Sequence, residues 1–471
     1  MKEACAKIQE KDFTLWFKIL YLILTLFTFN SFTAHSKVLF YFTIVVAGFG
    51  ALILMWRIFH FKEFQNTYAL PILLIFAVSY FISMLFNYQY GVLSNIKALL
   101  WMALQIGILF ALDARKSVNN IKKEFIILIT IFQFYILIAN CISLWYLVVH
   151  KGYASFQSPT KNMLGFVWGR LWGIYTDPNY ASVGCCVSIF LSLYLVLHKY
   201  GRAVKLLNYL QIILSFLYIV FSDSRTGFVC LIIGVLIFSM FFLNKYFRKG
   251  GKKRVTRQIA SLSLSVLISI GSILLLYGVK NIYNSIERSQ ISSQLPQISN
   301  SESENELLGR EQDLKDDISN RRFSIWKSGL EIWEKSPAVG TSFRNIVAFA
   351  KSKTPSTYLV KNDMGAFESF HNVLIDILVS QGVLGAIIAF IFIYKILKLI
   401  LKNRKKYEGQ NGDFLFLLTS IVLIFCVSGL FLSDIVYINS SATFLTWCLA
   451  GYLVHLLSSS VNTSVKQNGE N

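Results

Sequence analysis

The chain has 471 residues, of which 55% are hydrophobic, 15% aromatic and only 15% charged, with a formal net charge of +20. Soluble domains carry roughly 25% charged residues, and here apolar runs of about 18 or more residues, each long enough to cross a bilayer core, recur throughout a chain of mean hydropathy +0.55. The composition excludes a soluble enzyme. The charge does not indicate nucleic-acid binding either, because the lysines and arginines sit in short loops between apolar runs, as the positive-inside rule distributes them.

The start, MKEACAKIQEKDF, is polar. The first apolar run, about 15–32, is long enough to stay as a span rather than to be cleaved as a signal. A window of roughly 19 residues predicts about twelve spans, centred near 24, 47, 77, 104, 136, 189, 214, 235, 268, 382, 423 and 447. With the amino terminus in the cytoplasm, the basic connections RIFHFKEFQ, DARKSVNNIKKE, HKYGRAVK, NKYFRKGGKKRVTRQ and KILKLILKNRKK all fall inside. The nearly uncharged connections around AHSK, NYQYGVLS and SDIVYINSS fall outside. This reading gives an all-α polytopic membrane protein with both termini cytoplasmic. Residues 1–279 carry spans one to nine, 280–368 an extracytoplasmic loop, 369–458 spans ten to twelve, and 459–471 a cytoplasmic tail.

Two outer segments are long. One, about 149–180, ends in GRLWGIYTDPNY. The loop after span nine opens with a polar stretch, SQISSQLPQISNSESENELLGREQD, of a composition that does not fold alone. It continues with RRFSIWKSGLEIW, where Phe323, Trp326, Leu330 and Trp333 recur at helical spacing and predict an amphipathic helix on the membrane or over a cavity. Pro337 ends it.

Outward-facing polar groups near span ends are the candidates for chemistry. They are Arg170 before span six, Arg225 in SDSRTG between spans seven and eight, Arg321 and Arg322 at the loop helix, and His371 at the start of span ten. Guanidiniums pair with phosphate oxygens at two points, and an imidazole exchanges protons near neutral pH, so the set suits a phosphate-bearing lipid. Each residue also has a structural reading. Arg170 would snorkel to the interface, Asp177-Pro178 would cap and open span six, and Arg225 would pair with Asp223 in a tight hairpin. His371, at the head of an apolar helix, is the hardest to read as structural. No metal-ligand spacing, Walker loop or dinucleotide-binding glycine pattern occurs, so no metal or cofactor is expected.

In order, GRLWGIYTDPNYAS, SDSRTG, RRFSIW…PAVGTS and HNVLIDILVSQGVLGAI resemble the O-antigen ligase and O-antigen polymerase-like family of bacterial envelope enzymes, over roughly residues 165–395. The resemblance implies a metal-independent, inverting glycosyltransferase of the polytopic, lipid-sugar-using kind, in the plasma membrane. Its donor would be a glycan on undecaprenyl diphosphate at the extracytoplasmic face. It implies Arg170, Arg225 and Arg322 as diphosphate ligands, with Arg322 chosen over Arg321 because it stands four before Trp326. It implies His371 as the catalytic residue, with Asn372 beside it; Asn372, Asp177 and Tyr175 are the candidates for supporting roles. The family pattern Pro-x-x-Gly-x-Gly reads Pro337-Ala-Val-Gly340-Thr-Ser342 here, which puts the turn at Ser342 in question.

Two reactions fit. A polymerase joins lipid-linked repeat units of a capsular or similar polysaccharide; a ligase moves the finished chain to another acceptor. The abundance of Ile, Lys, Asn and Phe hints at an AT-rich genome, which favours the polymerase. A lipid-linked oligosaccharide flippase is the reading from a different class; it expects paired halves and midplane charges, whereas the two halves differ and the candidate residues lie at the rim. Membrane lipid, a chain-length regulator and a flippase are the expected partners, and no nucleic acid.

Overall fold

The computed structural model describes residues 2–155, 162–198, 201–250, 253–294, 321–362 and 365–458. The tail at 459–471 and the polar stretch from 295 to 320 lie outside the described residues. The described residues are predominantly helical. In order the helices are α1 (Lys2–Thr28), α2 (Lys37–Phe59), α3 (Leu70–Phe86), α4 (Leu93–Leu104, continued by a wider π turn to Phe110) and α5 (Val118–Val148). Three strands follow, β1 (Gly152–Ser155), β2 (Asn162–Val167) and β3 (Arg170–Gly173). Then come α6 (Pro178–Leu197), α7 (Arg202–Ser222), α8 (Arg225–Lys249), α9 (Arg254–Gln294), α10 (Arg322–Trp333), α11 (Ile346–Lys353), α12 (Val373–Lys402), α13 (Gly412–Ser428) and α14 (Ser441–Ser458).

Among the described residues, nine helices are long and apolar enough to cross a membrane. They contain nine of the twelve expected centres. The other three, at 24, 77 and 423, fall in the shorter apolar segments Phe13–Thr28, Leu70–Phe86 and Gly412–Ser428. Burial orders the bundle. The apolar windows of α6 and α14 are 61% and 67% buried, so these helices are central. Those of α2, α9 and α12 are only 22%, 22% and 17% buried, and their exposed Val38, Phe59 and Leu274 are suited to lipid.

Apolar side chains gain little by leaving lipid for one another, so interior polar bonds and small residues hold such helices together. A ladder of this kind joins α5, α6 and α7. Gln133 donates to Ser192 Oγ at 2.7 Å, Gln211 to Ser188 Oγ at 2.6 Å, and Asn140 to Ser215 Oγ at 3.2 Å. At the opposite end from the candidate residues, the buried Lys18 and Lys116 share the carboxylate of Glu124, with Lys18 Nζ 2.5 Å from Oε1. Tyr452 donates to the same oxygen at 2.6 Å, so α1, α5 and α14 are cross-tied.

The long segment at 149–180 holds a small three-stranded antiparallel sheet, order β1-β2-β3, beside an otherwise helical fold. Its β2–β3 turn is Trp168-Gly169, both at positive φ (54° and 64°), the geometry that matches the twist of a two-residue hairpin. The alternating burial of β2 is the physical signature of a strand. α9 continues as helix past 280 to Gln294, with no proline or glycine after Gly278 to stop it.

α10 forms where the apolar spacing predicts it, but it packs through a different face. Ile325, Ser328, Gly329 and Ile332 are buried, whereas Phe323 and Leu330 of the expected stripe are exposed. Gly329 lies so close to α12 that a Cβ there would meet Ile375 at 2.7 Å.

The PAVGTS turn docks into a break in α12. Gly382 has φ 64° and ψ −164°, which interrupts the helix. The carbonyls freed there are taken up by the turn. Thr341 N–H donates to Val379 O and Ser342 N–H to Ser380 O, both at 2.9 Å, and Val383 N–H donates to Pro337 O at 2.8 Å. Gly340 has φ 70°, and a Cβ there would lie 2.5 Å from three backbone atoms of α12. Ser342 takes φ 66° itself, so the turn survives the loss of the second glycine.

Candidate functional site

The candidate residues meet where helix N-termini converge. Asp177 caps α6, accepting from Asn179 N at 2.7 Å and Tyr180 N at 3.2 Å, with Pro178 opening the helix. Ser224 caps α8 and accepts from Gly227 N at 3.1 Å. Asn372 caps α12, accepting from Leu374 N at 2.9 Å and Ile375 N at 3.3 Å. α10 begins at Arg322. A helix N-terminus carries about half a positive charge, so backbone and side chains here favour an anion together.

Arg170 is buried at the first position of β3. Its Nε donates to the Ser222 carbonyl at 2.8 Å and a terminal nitrogen donates to Asn179 Oδ1 at 3.0 Å. It is therefore held inside the protein rather than snorkelling at a lipid surface. Ser224 Oγ donates to the same Asn179 oxygen at 3.1 Å. On the other side of the half-buried Arg225, Thr226 Oγ1 accepts from Arg322 at 3.3 Å. Arg225 thus stands between two residues that link it to the other two arginines. The Arg322 guanidinium also lies over the Phe431 ring, 5.5 Å from its centre. Gly227 permits the approach of α8 to α6, since a Cβ there would come 2.4 Å from Ser182 Cβ. Asp223 holds Lys280 of α9 at 2.7 Å, so the hairpin is also tied to α9.

His371 is half-buried directly before Asn372. Burial lowers the pKa of its imidazole below the usual 6.5, the Asp177 carboxylate opposes that shift, and the Arg322 guanidinium adds to it. The ring is therefore neutral near pH 7 and free to accept a proton. Asp434, in the connection between α13 and α14, is fully buried, and burial raises its carboxyl to about 7.

Tyr175 is not at this meeting point. Tyr175 is fully buried, its hydroxyl donating to Asn140 Oδ1 at 2.8 Å, and it packs against the buried Tyr218 and the partly buried Phe29 and Tyr135. Asn372 and Asp177 act as caps. Asn179, Ser224 and Thr226, which join the arginines, were not singled out from the sequence, because small polar residues near helix starts read as caps alone. Backbone strain could not be read there either. Trp168, Asp223, Arg321 and His371 all have positive φ (54°, 48°, 67° and 50°), and each lies at or within two residues of a candidate. Such strain concentrates at functional sites.

The fold and these residues define a polytopic helical membrane protein with a cluster of arginines among helix starts at one end of its bundle. The family model described as O-Antigen ligase matches residues 210–390, from α7 into α12, so this part of the chain is similar to the O-antigen ligase/polymerase-like family. The match contains Arg225, Arg322 and His371 and begins after Arg170. It suggests glycan processing of the ligase or polymerase type. No curated protein matches the chain.

Proposed function

We propose that the protein is a polymerase of a surface polysaccharide, with twelve spans in a bacterial plasma membrane and its site on the extracytoplasmic face. It transfers the growing glycan from undecaprenyl diphosphate to a lipid-linked repeat unit. The convergence of Arg170, Arg225 and Arg322 with the starts of α6, α8, α10 and α12 carries this reading. As the bond between the anomeric carbon and the phosphate oxygen breaks, negative charge grows on the diphosphate. Fixed guanidiniums and helix dipoles stabilise that charge without reorganising, the part a divalent cation plays in other transferases. The acceptor hydroxyl attacks from the opposite face and inverts the anomeric centre. His371 takes its proton, and undecaprenyl diphosphate leaves.

The description of the matching family, O-Antigen ligase, favours a second reading, a ligase moving the finished glycan to another acceptor. The lipid-linked glycans of a strain lacking the protein separate the two. Single repeat units accumulating on the outer leaflet mark a polymerase, and full-length lipid-linked chains mark a ligase. Units retained on the inner leaflet overturn both. Restoring His371→Ala is expected to leave the profile of the deletion unchanged.

A further inference from the structure

Resting on the reading of His371 as the base, we propose that Asp376 and Trp326 are positioning residues that clamp the two peptide planes in front of it. Neither belongs to the arginine cluster. The residue before His371 is Phe370, whose side chain is fully buried. Its N–H donates to Asp376 Oδ1 at 2.9 Å. Its carbonyl accepts from the indole Nε1 of Trp326 at 3.1 Å. One bond therefore fixes the plane between Ser369 and Phe370, and the other fixes the plane between Phe370 and His371. The orientation of that second plane sets φ of His371. That φ is 50°, a left-handed value that a histidine does not hold by preference.

The chain is pinned beyond His371 as well. Asn372 Nδ2 donates to Leu430 O at 3.1 Å, and Val373 N–H donates to Gly429 O at 2.8 Å. The imidazole is thus aimed by bonds on both sides of its own residue, within electrostatic reach of Asp177 and Arg322. Asp376 is itself buried in the first turn of α12, and α12 fixes it. Trp326 comes from α10, the helix that also carries Arg322. A single element therefore brings a diphosphate ligand and the indole that sets the base, which couples the two halves of the site. A base displaced by about 1 Å loses on the order of 100-fold in rate.

The test uses the full chain in lipid nanodiscs, with polyprenyl-diphosphate-linked glycan extracted from a strain lacking the protein as donor. Asp376→Ala removes the acceptor of the Phe370 N–H. It is expected to lower kcat by about tenfold or more while KM for the donor stays within about twofold, because the arginines that hold the donor are untouched. Asp376→Asn keeps an oxygen at the same place and is expected to retain kcat within about threefold. Trp326→Phe keeps an aromatic ring but loses the indole N–H together with the five-membered ring that carries it, and is expected to lower kcat with KM unchanged. In a His371→Ala background, Asp376→Ala is expected to change the residual rate by less than about twofold, because it acts through the imidazole. The clamp is overturned if Asp376→Ala or Trp326→Phe leaves kcat intact, if the loss falls on KM, or if it persists without the imidazole. Should Asp376→Ala fail to fold, Trp326→Phe and Asp376→Asn decide alone. Full turnover by His371→Ala would overturn the base itself, and the clamp with it.

Discussion

At the scale of single residues, the site places permanent charge in apolar surroundings, and the surroundings say why. Arg170 is oriented by the Ser222 carbonyl and the Asn179 amide oxygen. Neutral acceptors of this kind fix the direction of a guanidinium fork, whose geometry suits phosphate oxygens. Removing one fixed donor from a developing charge costs a factor of about 10²–10³ in kcat. Arg225→Ala and Arg322→Ala are each expected to show that loss in initial rates, with the protein still monodisperse in detergent. Near-normal rates in either would remove that arginine from the diphosphate. The imidazole yields a pH prediction with a definite sign. A base works only when unprotonated, and burial depresses the His371 pKa. Turnover is therefore expected to be flat around pH 7–8 and to fall only below the ordinary imidazole range, about 6.5. An acid limb centred above 7 in the pH–rate profile would contradict this. Arg225, Arg322 and His371 stood out in the sequence because ionisable groups are rare among apolar residues. Asn179 and Thr226 did not, because serines, threonines and asparagines abound at span ends and only contact distinguishes these two.

At the scale of elements, the turn at 337–342 shows how a departure from a family pattern is absorbed. Ser342 takes the positive φ that a glycine would take freely, and its N–H and hydroxyl recover bonds to Ser380 O and Ser83 Oγ. A single left-handed non-glycine residue costs on the order of 1 kcal/mol, comparable with one net hydrogen bond. Ser342→Gly relieves the first and loses the second, so its melting temperature in detergent is expected to stay within a few degrees of the parent. Gly340→Val is different in kind. It meets backbone at 2.5 Å, and backbone cannot yield as a flexible side chain can. A loss of more than about 3 kcal/mol is expected, seen as a collapse of the melting transition or of the folded yield. The sheet β1–β3 was illegible for a local reason. Trp168-Gly169 is not among the dipeptides that usually signal a tight hairpin, so the strands on either side had no visible turn to join them. α10 was legible as a helix but not in its buried face, because both its stripes are apolar and only the partner, α12, selects between them.

At the scale of the whole molecule, the bundle is tied at both ends by polar groups, and the two ends differ in chemistry. The end with the arginines gathers Arg170, Arg225 and Arg322 at converging helix starts. The other holds Lys18, Lys116 and Glu124 as a shared ion pair. Breaking a buried pair by removing one partner costs about 3–5 kcal/mol, since it strands the remaining charge. Glu124→Gln strands two. It is expected to lower the melting temperature sharply, yet to leave turnover per folded molecule unchanged, because the triad does not touch the arginine cluster. Loss of specific activity without loss of stability would assign it a different role. Sidedness is tested at the same scale. Trp168, 52% exposed at the hairpin tip beside Arg170, is expected, when replaced by cysteine, to react with a membrane-impermeant thiol reagent in intact cells. Labelling only after lysis would invert the orientation.

The sequence by itself determined the class of molecule, the position of each apolar helix and the side on which its charges are expected to fall. Those follow from composition and one-dimensional periodicity, which the bilayer imposes on any chain that crosses it. The tertiary structure decided which polar residues meet. It drew the starts of α6, α8, α10 and α12 to one point, sent Tyr175 into the core, set the buried face of α10 and placed two bonds around Phe370. Each depends on which helix packs against which. Long-range contacts between residues as far apart as Arg170 and Ser222, or Trp326 and Phe370, are fixed by the summed packing of the bundle and leave no local trace in the chain.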